Sequence, residues 1–468
     1  MNLTQNLATY PLLDALRDRR SRRFGLGMKI EHGPFAYQSR HEPQPLSEME
    51  EAALAFAACG ITGYALADLA YGAGQGGSML AGLVGRTISS ADAINTVSLV
   101  ITKDEATYLI KRPQEFAPAE IPDLIRMAEQ GDLVEFYRCS RVKIGDGRAA
   151  PPLEPLYNFN INRWSLYAPG SSYFLPINEM TALIINILLE IFDEKMGIFV
   201  RDERANFQPA GIGRFARSKG GQLHDDVRAG RTATVLALEM SAVESTAIEQ
   251  GMLQQNLGLM TQALGLGGFS NFARHEFGWF KTLGFRLGEM PASRYLGANW
   301  FASTLLGLLG RNPPIFYPLG LEQEGAILLK PFCPPYYPNM AAAVQAFVES
   351  KFGSQGVFRG RAQFSRGQDP TLATAHISGP SEAAIAATIA YCEYIYRCYG
   401  RFPAHTAPFR TVLGYQANHL DLDFYERFYQ PEALTHTQRT HQAYHYQTKE
   451  SLERKNQQRQ KGEAHASQ

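Results

Sequence analysis

Gln254-Gln255-Asn256-Leu257-Gly258-Leu259, running on to Ala263-Leu264-Gly265-Leu266-Gly267-Gly268, is the stretch on which the reading of the fold turns. Ile248, Met252, Leu259 and Leu264 largely keep helical spacing, which predicts a long helix with one side against a core. Its glycines end it, because a residue without Cβ enters the left-handed cap easily and lets backbone lie close to a flat partner. Upstream, Ser241 and Glu244 form a capping box that opens the helix, and Ala233-Thr234-Val235-Leu236-Ala237-Leu238 reads as a buried strand before it.

Near the N-terminus, Arg19-Arg20-Ser21-Arg22-Arg23-Phe24 packs guanidiniums around one hydroxyl. Such a cluster can make several charge-assisted bonds to a single phosphate group. In isolation it serves equally well as a solvated basic turn. Taken together, the two stretches suggest a flavin site.

The 468 residues, 45% of them hydrophobic, suffice for one large domain or two ordinary ones. Basic and acidic side chains balance to a formal charge of zero, and no basic face emerges that would track nucleic acid. Cys59, Cys139, Cys333, Cys392 and Cys398 are scattered and form no CxxC pair, so neither a disulfide framework nor a zinc knuckle is indicated. A cytoplasmic location is expected, since the N-terminus carries no export signal. Ala52 to Gly85 is too rich in glycine and alanine for a membrane span, and Thr181 to Leu189 is too short, so no membrane association is expected.

Ser47 and Glu50 form a capping box for a helix through Ala58, and Thr96–Ile101 and Ala106–Ile110 read as a hairpin. Residues 113–222 read as an inserted region, with short helices at 121–130 and 181–192. The prolines of 331–338 mark a boundary before a mainly helical C-terminal extension, 331–448, in which Ser381 caps a helix ending at Gly400. Residues 449–468 are polar and read as a disordered tail.

In their order, these motifs resemble the FMN-dependent nitroreductase superfamily, and within it the SagB-type dehydrogenases. Arg19, Ser21 and Arg23 match its Arg-x-Ser-x-Arg/Lys phosphate motif, and Leu46-Ser47-Glu48 with Ala57 to Gly63 matches its alanine-rich helix ending in Gly-Ile. Arg86-Thr87-Ile88-Ser89-Ser90-Ala91-Asp92 occupies the place of a flavin-contacting segment, with Ser90 as the contacting serine. Ser89 and Asp92 depart from that segment's proline and glycine. Gln255 to Gly267 follows the family's Gln-Asn-Leu helix closely.

The resemblance implies an α+β fold, a mostly antiparallel sheet flanked by helices, in a flavin domain spanning 1–330. It also implies FMN at a homodimer interface, with Gly267 and Gly268 against the ring. Hydride would pass through flavin N5 to or from a small organic or peptide-derived substrate, with NAD(P)H as a transient donor and no side-chain nucleophile. Phe269 and Phe272, in an aromatic run that continues to Phe280, are substrate-stacking candidates; aromatic residues serve equally in cores and dimer contacts. Gly72 to Gly77 spells GxGxxG, but no strand precedes it, so it reads as a loop.

Two further readings stand beside the flavin enzyme. Ser89 and Asp92 favour a flavin-free scaffold with a binding or assembly role. His441 and His445 at helical spacing, with His419 or Asp421 able to complete the set, offer metal ligands for a metal-dependent hydrolase.

Overall fold

The computed structural model describes residues 7–66, 79, 82–153, 160–273, 276–359 and 377–443. The architecture is α+β. Its largest sheet runs in the order Gly267–Phe272, Leu413–Asn418, Ser172–Glu179, Val97–Thr102, Ala106–Ile110, Arg141–Asp146, and Phe409–Arg410 also pairs with Ser172–Glu179. Every pairing in it is antiparallel.

All eight residues of Ser172–Glu179 are buried, because both faces of the sheet are covered. Successive side chains alternate between faces. Phe174, Val97, Leu99 and Ile101 pack with the alanine-rich helix Glu48–Cys59 and with Leu253 and Leu257 of the long helix Val235–Leu264. Tyr173, Leu175, Ile177 and Val100 face Phe269, Trp279 and Phe280 on the opposite side. A further core joins the apolar helix Thr181–Ile191 to Met340–Phe352 and Glu382–Tyr399.

Local signals set several of these elements as expected. Ser47 and Glu50 form a complete capping box, Ser381 caps its helix, and Gly265 and Gly400 end theirs at φ values of 76° and 70°. The long helix, however, starts earlier than its sequence suggests. Thr234 caps it by accepting a hydrogen bond from Ala237 N, so Val235 to Leu238 are helical and only Thr232–Thr234 is strand. Ser241 lies inside the helix and donates to the Leu238 carbonyl. The buried stripe runs through Leu238, Ala242, Leu253 and Leu257, while Ile248 is 62% exposed.

Two expectations about organisation are overturned. Residues 113–222 are not an insertion, since they supply Arg141–Asp146 and the central strand Ser172–Glu179. Nor is 331–448 an appended helical part: Leu413–Asn418 lies between Gly267–Phe272 and Ser172–Glu179 and closes the sheet. Strand pairing requires only a free edge of backbone donors and acceptors, so a distant segment can fill the middle of a sheet.

The long helix is fastened to the hairpin side by polar groups. Asn256 Nδ2 donates to the Ala57 carbonyl at 3.1 Å and to the Thr87 carbonyl at 2.9 Å. About two turns earlier, Glu249 accepts from Thr96 Oγ1 and from Val97 N. Arg86 completes the fastening, donating to the Cys59 and Val97 carbonyls at 2.8 and 3.0 Å. Replacing Asn256 by Ala deprives two carbonyls of their donor and should destabilise the protein by about 2 kcal/mol. Urea denaturation of Asn256→Ala should show this as a lowered midpoint at unchanged slope.

Candidate functional site

Arg19 follows the short helix Leu12–Asp18 in extended backbone, and the segment after it is pinned by a bridge between Gly25 and Leu420. Alternation then divides the arginines. Arg19, Arg20 and Ser21 are exposed, whereas Arg22 is buried and Arg23 half-buried. Arg22 donates from Nη1 to Gln262 Oε1 on the long helix at 2.9 Å and from Nε to the Ala433 carbonyl at 2.7 Å. Burial draws its pKa below the usual arginine value, a shift that leaves so strong a base charged. Arg23 Nη2 donates to Asn162 Oδ1 at 2.8 Å and Ser165 Oγ at 2.7 Å. Its guanidinium lies 4.2 Å from the Phe269 ring centroid, and its buried Nε has no hydrogen-bond partner among the described residues.

The arginine segment and the end of the long helix therefore meet. A Cβ on Gly258 would stand 3.1 Å from Arg19 Cδ, so the arginine stem lies along the helix there. Arg22, which bonds the two segments directly, has no distinguishing mark in the sequence among its neighbours. What separates it is the direction the backbone gives it.

Other site residues lie differently from their sequence reading. Gly267 and Gly268 are strand residues whose missing Cβ atoms make room for protein: Leu420 Cδ2 and the Arg22 carbonyl at the first, the Tyr415 hydroxyl at the second. That space is filled from within the chain. Ser90 Oγ accepts from Asn95 N at 2.8 Å, and its hydroxyl also bonds the Glu249 carboxylate. Phe269 is core beneath Arg23, while Phe272 is 60% exposed beside the exposed Ser270. Gly72 to Gly77 and His445 lie outside the described residues.

Asp92, the departure from the resembled motif, has a structural partner. Its Oδ2 accepts from Asn186 Nδ2 at 3.1 Å, and Asn186 Oδ1 accepts from Lys351 Nζ at 2.6 Å. Lys351 is 2% exposed, among Phe347, Phe352 and Phe358. Burial lowers its pKa to about 7, against the opposing pull of Asp92 and Glu190. Burial likewise raises Asp92 above the ordinary carboxylate range.

A cavity of about 440 Å³ opens beside the N-terminal half of the long helix, with Met240, Tyr295, Tyr317, His405 and Arg410 among its walls. Arg204 Nη2 donates to His405 Nδ1 at 2.7 Å, which leaves the imidazole proton on Nε2, 2.7 Å from Glu203 Oε1. Burial and the neighbouring Arg204 lower the His405 pKa. Behind this wall, the buried Glu239 accepts the Ala404 and His405 N–H groups at 2.7 and 2.6 Å, and desolvation raises its pKa to about 7. Of these residues, His405 is one of several C-terminal histidines, and its partners carry no motif.

Those histidines separate. His419 and His441 converge, but on Glu50 rather than on Asp421. Asp421 caps the helix Leu422–Phe428 by accepting from Phe424 N at 3.2 Å.

No protein-family profile matches this chain, and no curated protein matches it. Among solved structures, it is similar to one from Ralstonia eutropha JMP134 described provisionally as a nitroreductase, at 12% identity over 58% of this chain and 75% of that one. The TM-score is 0.26, too low for this likeness to bear on fold or function. Among the described residues, no helix is long and apolar enough to cross a membrane.

Lys351 makes a testable contribution to pH dependence. A lysine in the unfolded chain holds its proton to about pH 10.4, so between about pH 7 and 10 the unfolded state binds more protons than the folded one. Stability contributed through this group therefore rises with pH across that window, by on the order of a few kcal/mol. Unfolding free energies measured across that range should rise in the native protein and lose this rise in Lys351→Met. Equal slopes in both proteins would show that Lys351 titrates as an ordinary lysine.

Proposed function

We propose that the chain is a flavin-dependent oxidoreductase of the nitroreductase kind, with Arg19, Ser21 and Arg23 holding the phosphate of FMN. The observation that carries the reading is the buried Nε of Arg23, without a hydrogen-bond partner among the described residues, at the junction of the arginine segment with strand Gly267–Phe272. An anion there would satisfy a donor that is otherwise costly to bury. Arg19 and Ser21 are exposed in the same segment.

Ser270 and Phe272 are exposed on the face of strand Gly267–Phe272 opposite to that of Phe269. The bound cofactor would supply hydride exchange at its N5 atom. The protein would orient a small organic or peptide-derived substrate against the ring, and Phe272 is the exposed aromatic group placed to stack on it. NAD(P)H is proposed as a transient donor. Exposed Leu12, Leu13 and Ile248, at 66%, 72% and 62%, suit burial against a second copy in a homodimer.

One set of contacts favours a flavin-free scaffold with a binding role instead. Ser90 and Asp92 are engaged by Asn95, Glu249 and Asn186, and protein atoms fill the space over Gly267 and Gly268. The visible spectrum of the purified protein separates the readings: a yellow protein that bleaches on reduction supports the enzyme, and a colourless one that refuses added FMN supports the scaffold. In FMN titrations, Arg19→Ala and Arg23→Ala should each weaken binding by about 1.5–3 kcal/mol, the usual contribution of a hydrogen bond to a charged group. Unchanged affinity in both would remove the phosphate assignment.

A further inference from the structure

We propose that Glu50, His419 and His441 form a site for one divalent transition-metal ion, zinc being the ion that best suits the donors. The three come from separate elements. Glu50 is the third residue of the helix Glu48–Cys59, His419 follows the strand Leu413–Asn418, and His441 lies in the C-terminal segment against Gly265. Only the fold brings them together.

The spacings are those of a coordination shell. His441 Nε2 is 3.3 Å from Glu50 Oε1 and 3.2 Å from His419 Nδ1, and one donor atom of each of the three residues lies within 4.8 Å of the other two. Hydrogen bonds between such groups, with charge on one of them, close to about 2.7–2.9 Å. Two donors bound tetrahedrally at zinc–ligand lengths of about 2.0–2.1 Å stand about 3.3 Å apart. The observed separations fit the second geometry.

Burial and support agree. The three side chains are only 0%, 4% and 9% exposed, so an ion held by them would be enclosed by protein. Glu50 is held in place from behind: Oε2 accepts from Ser47 N at 2.7 Å and Ser47 Oγ at 2.8 Å, as expected of an oriented metal ligand. Two imidazoles and a carboxylate are a common zinc donor set, and they leave one vertex for a non-protein ligand.

An ion here would staple the C-terminal segment to the sheet and to the N-terminal helix. That segment supplies the Ala433 carbonyl to Arg22, and Thr435 and Gln438 to Gln262. The proposed metal therefore secures the contacts around Arg22 whether or not a flavin binds.

The test uses the full chain. Elemental analysis after gel filtration should find about one zinc per chain, and zinc added back to chelator-treated protein should raise its melting temperature by several degrees. His441→Ala should bind zinc at least about 100-fold more weakly by calorimetry. Should that variant not fold, Co²⁺ added to the chelator-treated native chain decides the matter, since tetrahedral nitrogen and oxygen ligation gives intense visible bands. No stoichiometric zinc, no zinc-dependent shift in melting, or a Co²⁺ spectrum like that of the aqueous ion would overturn the proposal and leave a hydrogen-bonded Glu–His–His triad.

Discussion

The long helix Val235–Leu264 is tied to the sheet through buried polar groups rather than by apolar contact alone, and the placing of the site follows from that tie. Asn256 joins the carbonyl of Ala57, at the end of one helix, to that of Thr87, at the start of the next segment. Glu249 does the same for Thr96 and Val97 at the start of the hairpin. Leu253, between these anchors, and Leu257, just past the second, are fully buried and each contribute on the order of 2 kcal/mol, but burial is non-directional. The hydrogen bonds fix where along the sheet the helix sits, and so where its C-terminal end meets Arg22.

At that end, small residues and charges work together. Gly258 admits the stem of Arg19, Gly267 admits Leu420 and the Arg22 carbonyl, and Gly265 admits His441. Each close approach brings a segment remote in sequence to the same place. The result is a junction of the N-terminal arginines, the helix end and the C-terminal segment, cross-linked by the Arg22–Gln262–Gln438 hydrogen bonds.

Asp92 and Lys351 show how a residue foreign to a motif can be required by its surroundings. An ammonium enclosed by three phenylalanine rings is costly unless an anion and hydrogen-bond acceptors lie near. Asn186 bridges the two, which gives Asp92 a structural reason independent of any ligand.

By itself, the sequence determined the class of fold and most local boundaries. The capping box at Ser47 and Glu50, the hairpin through Ala106–Ile110, the helix ends at Gly265 and Gly400 and the pattern of antiparallel strands with flanking helices are all written in short-range residue order. The arginine cluster and the Gln255-Asn256 motif were likewise legible, and they do meet in space. The long-range arrangement was not legible. That Leu413–Asn418 enters the sheet between Gly267–Phe272 and Ser172–Glu179, that Arg22 rather than Ser21 turns inward, and that Glu50 joins His419 and His441 all depend on backbone pairing and packing between segments hundreds of residues apart. Local order fixes which conformations a segment prefers, whereas its neighbours are chosen by the burial and hydrogen-bond pairing of the whole chain at once, and only the tertiary structure records that choice.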